Sequence, residues 1–282
     1  MPSTIAVTGA TGAVGGAVAH LLSEAGIAPR LVVRSPERAP SLPDAEVVQA
    51  TYRDGAAAEA ALAGVDVLFM VSASESSDRV DEHRSFIDAA ARAGVQHVVY
   101  TSFLGAAPDA VFTLARDHWF TEEHLRASGM GHTILRDSFY LDFLPMLAGE
   151  DGVIRGPAGQ GRLAAVARED VARSAAVVLQ DPAAHAGQTY EITGREALTV
   201  PEAIEVIREV TGRGLRYVDE TVPEAYESRR VYGAPDWEVH AWVSTYTAIA
   251  QGQLATITDT VERLTGRPPL TLRELLSQSR AA

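Results

Sequence analysis

Two periodicities alternate along the first two thirds of the chain. Residues 5–8 are a short apolar run, after which Ala17, Val18, Leu21 and Leu22 recur at helical spacing. Further short apolar runs occupy 29–33, 45–50, 65–71, 97–102 and 132–136, with helical patterns at 59–62 and 79–93. The run 65–71 is apolar almost throughout, as a strand buried on both faces of a parallel sheet must be. Within 79–93, Val80, Phe86, Ile87 and Ala90 fall on one side and charges on the other, which predicts an ordinary covering helix. Strand and helix in alternation predict an α/β fold with a doubly wound parallel sheet, whose ligands bind beyond the carboxyl ends of its strands. Farther on, 152–161 reads as a glycine-rich loop, 168–179 as a helix and 189–193 as a strand. After Gly194 the pattern turns mostly helical, at 200–211, 223–232, 237–250 and 270–279, with one short strand at 215–218. The expected division is a sheet domain over 1–140, to which 165–193 returns, and a smaller, mostly helical C-terminal lobe over 194–282, to which 141–164 contributes. That lobe is expected to cap the site. Trp237, Trp242 and Tyr246 lie at spacings compatible with one helix face and read as core.

The first strand runs into Gly9-Ala10-Thr11-Gly12-Ala13-Val14-Gly15, three glycines spaced three apart at the start of a helix. This is a Rossmann nucleotide-binding turn. Gly9 turns the chain off the strand, Gly12 admits a pyrophosphate close to the backbone, and Gly15 lets helix and strand pack tightly. The helix N-terminus, with Thr11, Ala13 and Val14 around it, offers N–H groups and partial positive charge to the phosphates. The residue ending the second strand selects the cofactor: an acidic one holds the ribose 2′-OH of NAD, whereas an arginine accommodates the 2′-phosphate of NADP. Arg34 stands there, with Arg38 one turn on, so NADP(H) is expected; the alternative is two solvated arginines in a loop. Val71, Ser72 and Ala73 end the fourth strand and Thr101, Ser102 and Phe103 the fifth, and these are expected to lie along the cofactor. Tyr52, Arg53 and Asp54 are placed to approach adenine or to form a polar loop.

Composition removes several classes of function. A net charge of -13 argues against nucleic acid or an anionic membrane as partner. There is no cysteine, which excludes disulfides, thiolate nucleophiles and thiolate-bound metals. All 24 Lys+Arg residues are arginine, so no catalytic amine exists. His118 and His124, six apart, fall on different helix faces and predict no metal site. No hydrolase nucleophile turn of G-x-S-x-G type stands at a strand end. No apolar run reaches membrane-spanning length, and the opening in a strand reads as cytoplasmic.

The Gly9-Ala10-Thr11-Gly12 turn, Arg34, residues 89–102, Thr121-Glu122 and Arg136 together resemble the NmrA-like branch of the atypical short-chain dehydrogenase/reductases. Within that branch the chain is most similar to the quinone oxidoreductase type 2 and triphenylmethane reductase group, including the tail segments 243–250 and 264–269. The resemblance implies a Rossmann domain with a small second lobe, NADP(H), and reduction of flat conjugated acceptors such as quinones, dyes or imines. It also admits a non-enzymatic NADP(H)-sensing regulator of the NmrA type.

Typical short-chain dehydrogenases use a Tyr-x-x-x-Lys pair, which this chain cannot contain. In the related isoflavone reductase-like proteins a lysine precedes Gly-x-x-x-Thr, and the same interval back from Gly129 falls on His118. A histidine there could assist an acceptor oxygen; the alternative is a surface histidine on an amphipathic helix. Asp117 and Glu122 read as solvated or capping charges. Past the sixth strand, the segment 137–144 contains Tyr140, whose aromatic neighbourhood could stack on a planar substrate or form helix core. His118 and Tyr140 are the candidate catalytic residues. The oligomeric state is left open.

Overall fold

The computed structural model describes residues 3–281. In chain order the elements are β1 (Ile5–Thr8), α1 (Ala13–Glu24), β2 (Arg30–Val33), β3 (Glu46–Gln49), α2 (Gly55–Leu62), β4 (Val67–Met70), α3 (Arg79–Ala93), β5 (His97–Phe103), α4 (Thr113–Ala127) and β6 (Gly131–Asp137). Then follow β7 (Val153–Gly156), α5 (Arg168–Gln180), β8 (Thr189–Ile192), α6 (Val200–Thr211), β9 (Arg216–Asp219), α7 (Val222–Arg229), α8 (Asp236–Ala250), α9 (Thr260–Thr265) and α10 (Leu272–Ala281).

One sheet has the order β3-β2-β1-β4-β5-β6-β8, with β2, β1, β4 and β5 joined in parallel register and β3 parallel to β2. This is the doubly wound α/β fold, and its order reverses between β1 and β4, where such sheets open a ligand crevice. β1 and β4 are buried at every position, which explains their unbroken apolar sequence. Helix α3 stops where expected because Gly94 takes a left-handed conformation (φ 86°) that closes its last turn.

The chain divides into two compact units. The first comprises 1–102, 117–136 and 169–190, and the second 103–116, 137–168 and 191–282. The segment 103–116 therefore clusters with the second unit, whereas the sequence had assigned it to the first. In the first unit, Leu62, Leu68, Met70, Phe86, Ile87, Tyr100 and Leu125 are fully buried in one core. In the second, Ile154, Leu163, Ile207, Leu254 and Leu272 form another, closed by Tyr246.

The expectation of a loop over 152–161 is corrected in part: β7 pairs in parallel with β9, Ile154 opposite Tyr217. Two of the glycines that suggested a loop, Gly156 and Gly161, serve close packing instead. A Cβ at Gly156 would sit 2.4 Å from the Tyr246 ring, a space only glycine leaves open. Tyr246 is core as expected, but Trp237 is about one-third exposed (36%), so the proposed aromatic face does not act as a unit. Helices α6 and α7 each begin with a capping box, Thr199 with Glu202 and Thr221 with Glu224, which fixes their starts locally. Among the described residues no helix is long and apolar enough to cross a membrane.

Phe86 shows no exposed surface and stacks on Tyr52 with ring centroids 4.2 Å apart. Phe86→Ala is expected to cost about 3–5 kcal/mol, read as a lower denaturant midpoint with little change in slope.

Candidate active site

The turn after β1 has the geometry that phosphate binding requires. Gly9 lies at φ +64°, and the Gly12 N–H donates to its carbonyl at 2.8 Å. A Cβ at Gly15 would meet the Gly9 carbonyl oxygen at 2.4 Å and that of Thr8 at 2.6 Å, so the helix can approach the strand only as glycine. Gly12 caps α1 without any side-chain bond, and the first turn carries no acidic residue. Its leading N–H groups and the positive end of its dipole thus suit a ligand's phosphates. Thr11, Ala13 and Val14 are the residues around that N-terminus. Arg34 follows β2, the strand next to β1, and is exposed. It makes no ion pair among the described residues.

The segment beyond β4 is held from behind at three successive N–H groups. Val71 donates to Thr8 Oγ1 at 2.9 Å, Ser72 to Thr101 Oγ1 at 2.8 Å and Ala73 to His83 Nε2 at 2.8 Å. Two carbonyls are held as well, Val71 by the Tyr52 hydroxyl and Ala73 by Arg79 Nε at 3.0 Å. Thr101 and Ser102 are buried, and their hydroxyls bond within the protein, so they support the strand ends rather than offering side chains to a ligand. The Tyr52 hydroxyl is likewise turned inward, Arg53 pairs with Asp78 and Glu82, and Asp54 caps α2.

His118 is buried, not on the surface, with 5% exposure. Arg79 can only donate, so its Nη2, 3.2 Å from His118 Nε2, leaves the ring proton on Nδ1, which donates to the Tyr100 hydroxyl at 2.9 Å. Burial first, and then the Arg79 charge, hold the His118 pKa well below the ordinary histidine value. The imidazole is therefore neutral near pH 7. His83 follows the same logic: it accepts from Ala73 at Nε2, so Nδ1–H donates to Thr121 Oγ1 at 2.8 Å, and Thr121 donates to the Asp117 carbonyl. Desolvation and Arg79 lower its pKa to about 3.

Glu122 corrects the expectation of a solvated charge. It is fully buried and accepts from Ser102 Oγ (2.6 Å), from Arg136 at both oxygens (2.8 and 2.6 Å) and from Arg126 (3.0 Å). Removing it would take away the carboxylate that both arginines share beneath the end of β5. Asp117 is half-buried and lies 3.9 Å from Arg79.

Phe103 and Tyr140 belong to the second unit. Phe103 packs on Phe112 at 4.8 Å between centroids. Tyr140 is half-buried, its hydroxyl 2.9 Å from Asp137 Oδ2, with its ring 5.7 Å from that of Phe143. Arg168 lies over the Phe143 ring at 5.2 Å and pairs with Asp142 at 3.0 Å.

A family model described as the NmrA-like family matches residues 1–239. The chain belongs to the NmrA-like family. This NmrA-like chain is 33% identical to the NAD(P)H azoreductase of Xenophilus azovorans, over 99% of its own length and 98% of that protein. Its fold matches an Escherichia coli NADPH-dependent quinone oxidoreductase in complex with NADPH at a TM-score of 0.87, with 33% identity over 98% of this chain and 100% of that one. A Citrobacter triphenylmethane reductase in complex with NADP(H) matches at 0.85, with 29% identity over 98% and 100%. A negative transcriptional regulator in complex with NAD matches at 0.77 but only 18% identity, which is a likeness of fold alone.

Sequence reasoning about this NmrA-like chain missed Arg79 and His83. The signal was present: Arg79, His83, Phe86 and Ala90 share one face of α3, and burial of the first two makes that face the inner one. An Arg and a His aligned with an apolar stripe mark buried polar contacts, not a solvated edge. Asp137 was also passed over, since nothing local shows that its carboxyl would be enclosed.

The buried histidines give stability a defined pH dependence. His83 titrates near 3 in the folded chain and near the ordinary 6.5 when unfolded, so between these values the unfolded state binds more protons. Its contribution is complete above about 6.5 and shrinks as pH falls, by up to about 1.4 kcal/mol per pH unit. Urea unfolding at pH 7 and pH 5 is expected to show a larger loss in wild type than in His83→Asn, which can still accept from Ala73; equal losses would remove His83 as the cause.

Proposed function

We propose that the protein is an NADPH-dependent oxidoreductase that transfers a hydride to a planar, conjugated small molecule such as a quinone, a cationic dye, an azo compound or an imine. The observation that carries this reading is the N-terminus of α1, which has no side-chain cap, behind Gly9, Gly12 and Gly15, with Arg34 just past the neighbouring strand β2 and in no ion pair among the described residues. That combination suits a pyrophosphate and a 2′-phosphate together. NADPH would supply the hydride. The chain's own residues do the rest. The α1 N–H groups bind the diphosphate, Arg34 holds the 2′-phosphate, and the Val71–Ser72–Ala73 backbone, fixed from behind, keeps its shape against the ligand.

An acceptor already polarised by conjugation needs little acid help, which is consistent with a chain that has no Tyr-x-x-x-Lys pair. Under this reading His118 anchors Arg79 and Tyr100 beneath the strand ends. Its neutral ring and its two hydrogen bonds suit that role better than proton donation to an acceptor.

Arg34→Glu is expected to reverse cofactor choice. Charge-assisted bonds to the 2′-phosphate contribute about 1.5–3 kcal/mol, so the NADPH preference in fluorescence titrations should fall by about 10–100-fold. An unchanged preference would remove Arg34 from the cofactor site.

Stopped-flow loss of NADPH absorbance against a panel of quinones, triphenylmethane dyes, azo dyes, imines and enones tests the reaction itself. Turnover with at least one class is expected. Tight NADPH binding with no turnover on any of them would favour a cofactor-sensing regulator instead.

A further inference from the structure

Ala73 is gripped at both its backbone groups by side chains of a single helix. Its N–H donates to His83 Nε2 at 2.8 Å, and its carbonyl accepts from Arg79 Nε at 3.0 Å. Arg79 and His83 stand four residues apart on one face of α3 and are enclosed. Burial and the Arg79 charge keep His83 neutral, so its Nε2 remains an acceptor, and its Nδ1–H is held by Thr121 Oγ1. A trans peptide unit points its N–H and its C=O in opposite directions, and the described residues contain no cis peptide bond. Drawing the Ala73 N–H onto His83 therefore turns the Ser72 carbonyl away from the two side chains, and drawing the Ala73 carbonyl onto Arg79 does the same to the Ser74 N–H. Neither group has a hydrogen-bond partner among the described residues. Ser72 is half-buried and Ser74 exposed, so an acceptor and a donor are left open to a ligand on either side of Ala73.

The segment adjoins the glycine turn. A Cβ on Gly9 would come within 3.1 Å of Val71 Cβ, so the end of β4 abuts the turn after β1. In the order β2-β1-β4, Arg34 follows β2 and the glycine turn follows β1. A dinucleotide with its 2′-phosphate at Arg34 and its diphosphate on the α1 N-terminus crosses β1 toward β4, which leaves its nicotinamide half beyond β4. Resting on the reductase reading above, we propose that Arg79 and His83 are positioning residues for that half: by fixing Ala73 they present the Ser72 carbonyl and the Ser74 N–H to the nicotinamide riboside, whose hydroxyls and carboxamide both donate and accept. The two side chains do not touch the cofactor; they act through the backbone.

Comparing the whole cofactor with its adenosine half separates positioning from a purely structural role. Adenosine 2′,5′-bisphosphate carries the phosphate that Arg34 holds and lacks the nicotinamide riboside. His83→Leu removes the acceptor for Ala73, whereas His83→Gln keeps a neutral acceptor of comparable reach. In calorimetric titrations His83→Leu is expected to weaken NADPH by about 10-fold or more and the bisphosphate by less than about twofold, with His83→Gln restoring most of the NADPH loss. Equal losses for the two ligands, or wild-type NADPH affinity in a folded His83→Leu, overturn the proposal. Amide hydrogen exchange, read residue by residue, tests it in the wild type without any variant. In the free protein the Ala73 N–H is expected to exchange slowly and the Ser74 N–H fast, and NADPH, but not the bisphosphate, should slow Ser74. A Ser74 rate that bound NADPH leaves unchanged also overturns the proposal. This exchange pattern together with no turnover on any acceptor would defeat the reductase reading and leave the positioning role standing, whereas a wild type that binds neither ligand would defeat both.

Discussion

The backbone beyond β4 has to be satisfied from one side so that its other side can meet a ligand. Buried N–H groups need partners, yet a covering element would close the crevice where the sheet order reverses. Thr8 from β1, Thr101 from β5 and His83 from α3 answer this by accepting from Val71, Ser72 and Ala73 in turn. Three elements are thereby tied to one short segment. Its conformation follows from the sheet and α3 together, and its rigidity comes from bonds of 2.8–2.9 Å made by enclosed side chains.

The absence of lysine shapes the electrostatics behind that segment. Arginine stays charged when enclosed, so the work of remaining neutral falls on other groups. Arg79, with 5% exposure, meets two histidines whose pKa values burial and its own charge hold low. Glu122, with no exposed surface, meets two arginines at its oxygens. Among the described residues the Asp137 carboxyl meets only a phenol, and its pKa moves in the opposite direction. Enclosed groups of one sign are thus either paired or uncharged.

Membership of the NmrA-like family limits the function less than the fold, because proteins of this shape include named reductases and a named transcriptional regulator. The features that bear on function are local: the glycine turn and Arg34 suit a phosphorylated dinucleotide.

Local periodicity made much of the architecture readable in the sequence. The strand–helix alternation, α3 over 79–93 and α6 over 200–211 follow from side-chain spacing, a left-handed glycine and a capping box, all of which act within a few residues. The glycine turn was readable for the same reason, since the φ of Gly9 and the crowding at Gly15 are set within seven residues. Partners distant in the chain were not. Thr8 reaches Val71 across 63 residues, Ser102 reaches Glu122 across 20, and β7 pairs with a strand some 60 residues later. Whether His118 is a surface donor or an enclosed anchor, and whether Asp137 is solvated or sealed, depends on which side chains surround it. Spacing along the chain carries no record of that, because burial and hydrogen-bond partnership are properties of packing between elements and come into being only when the chain has folded.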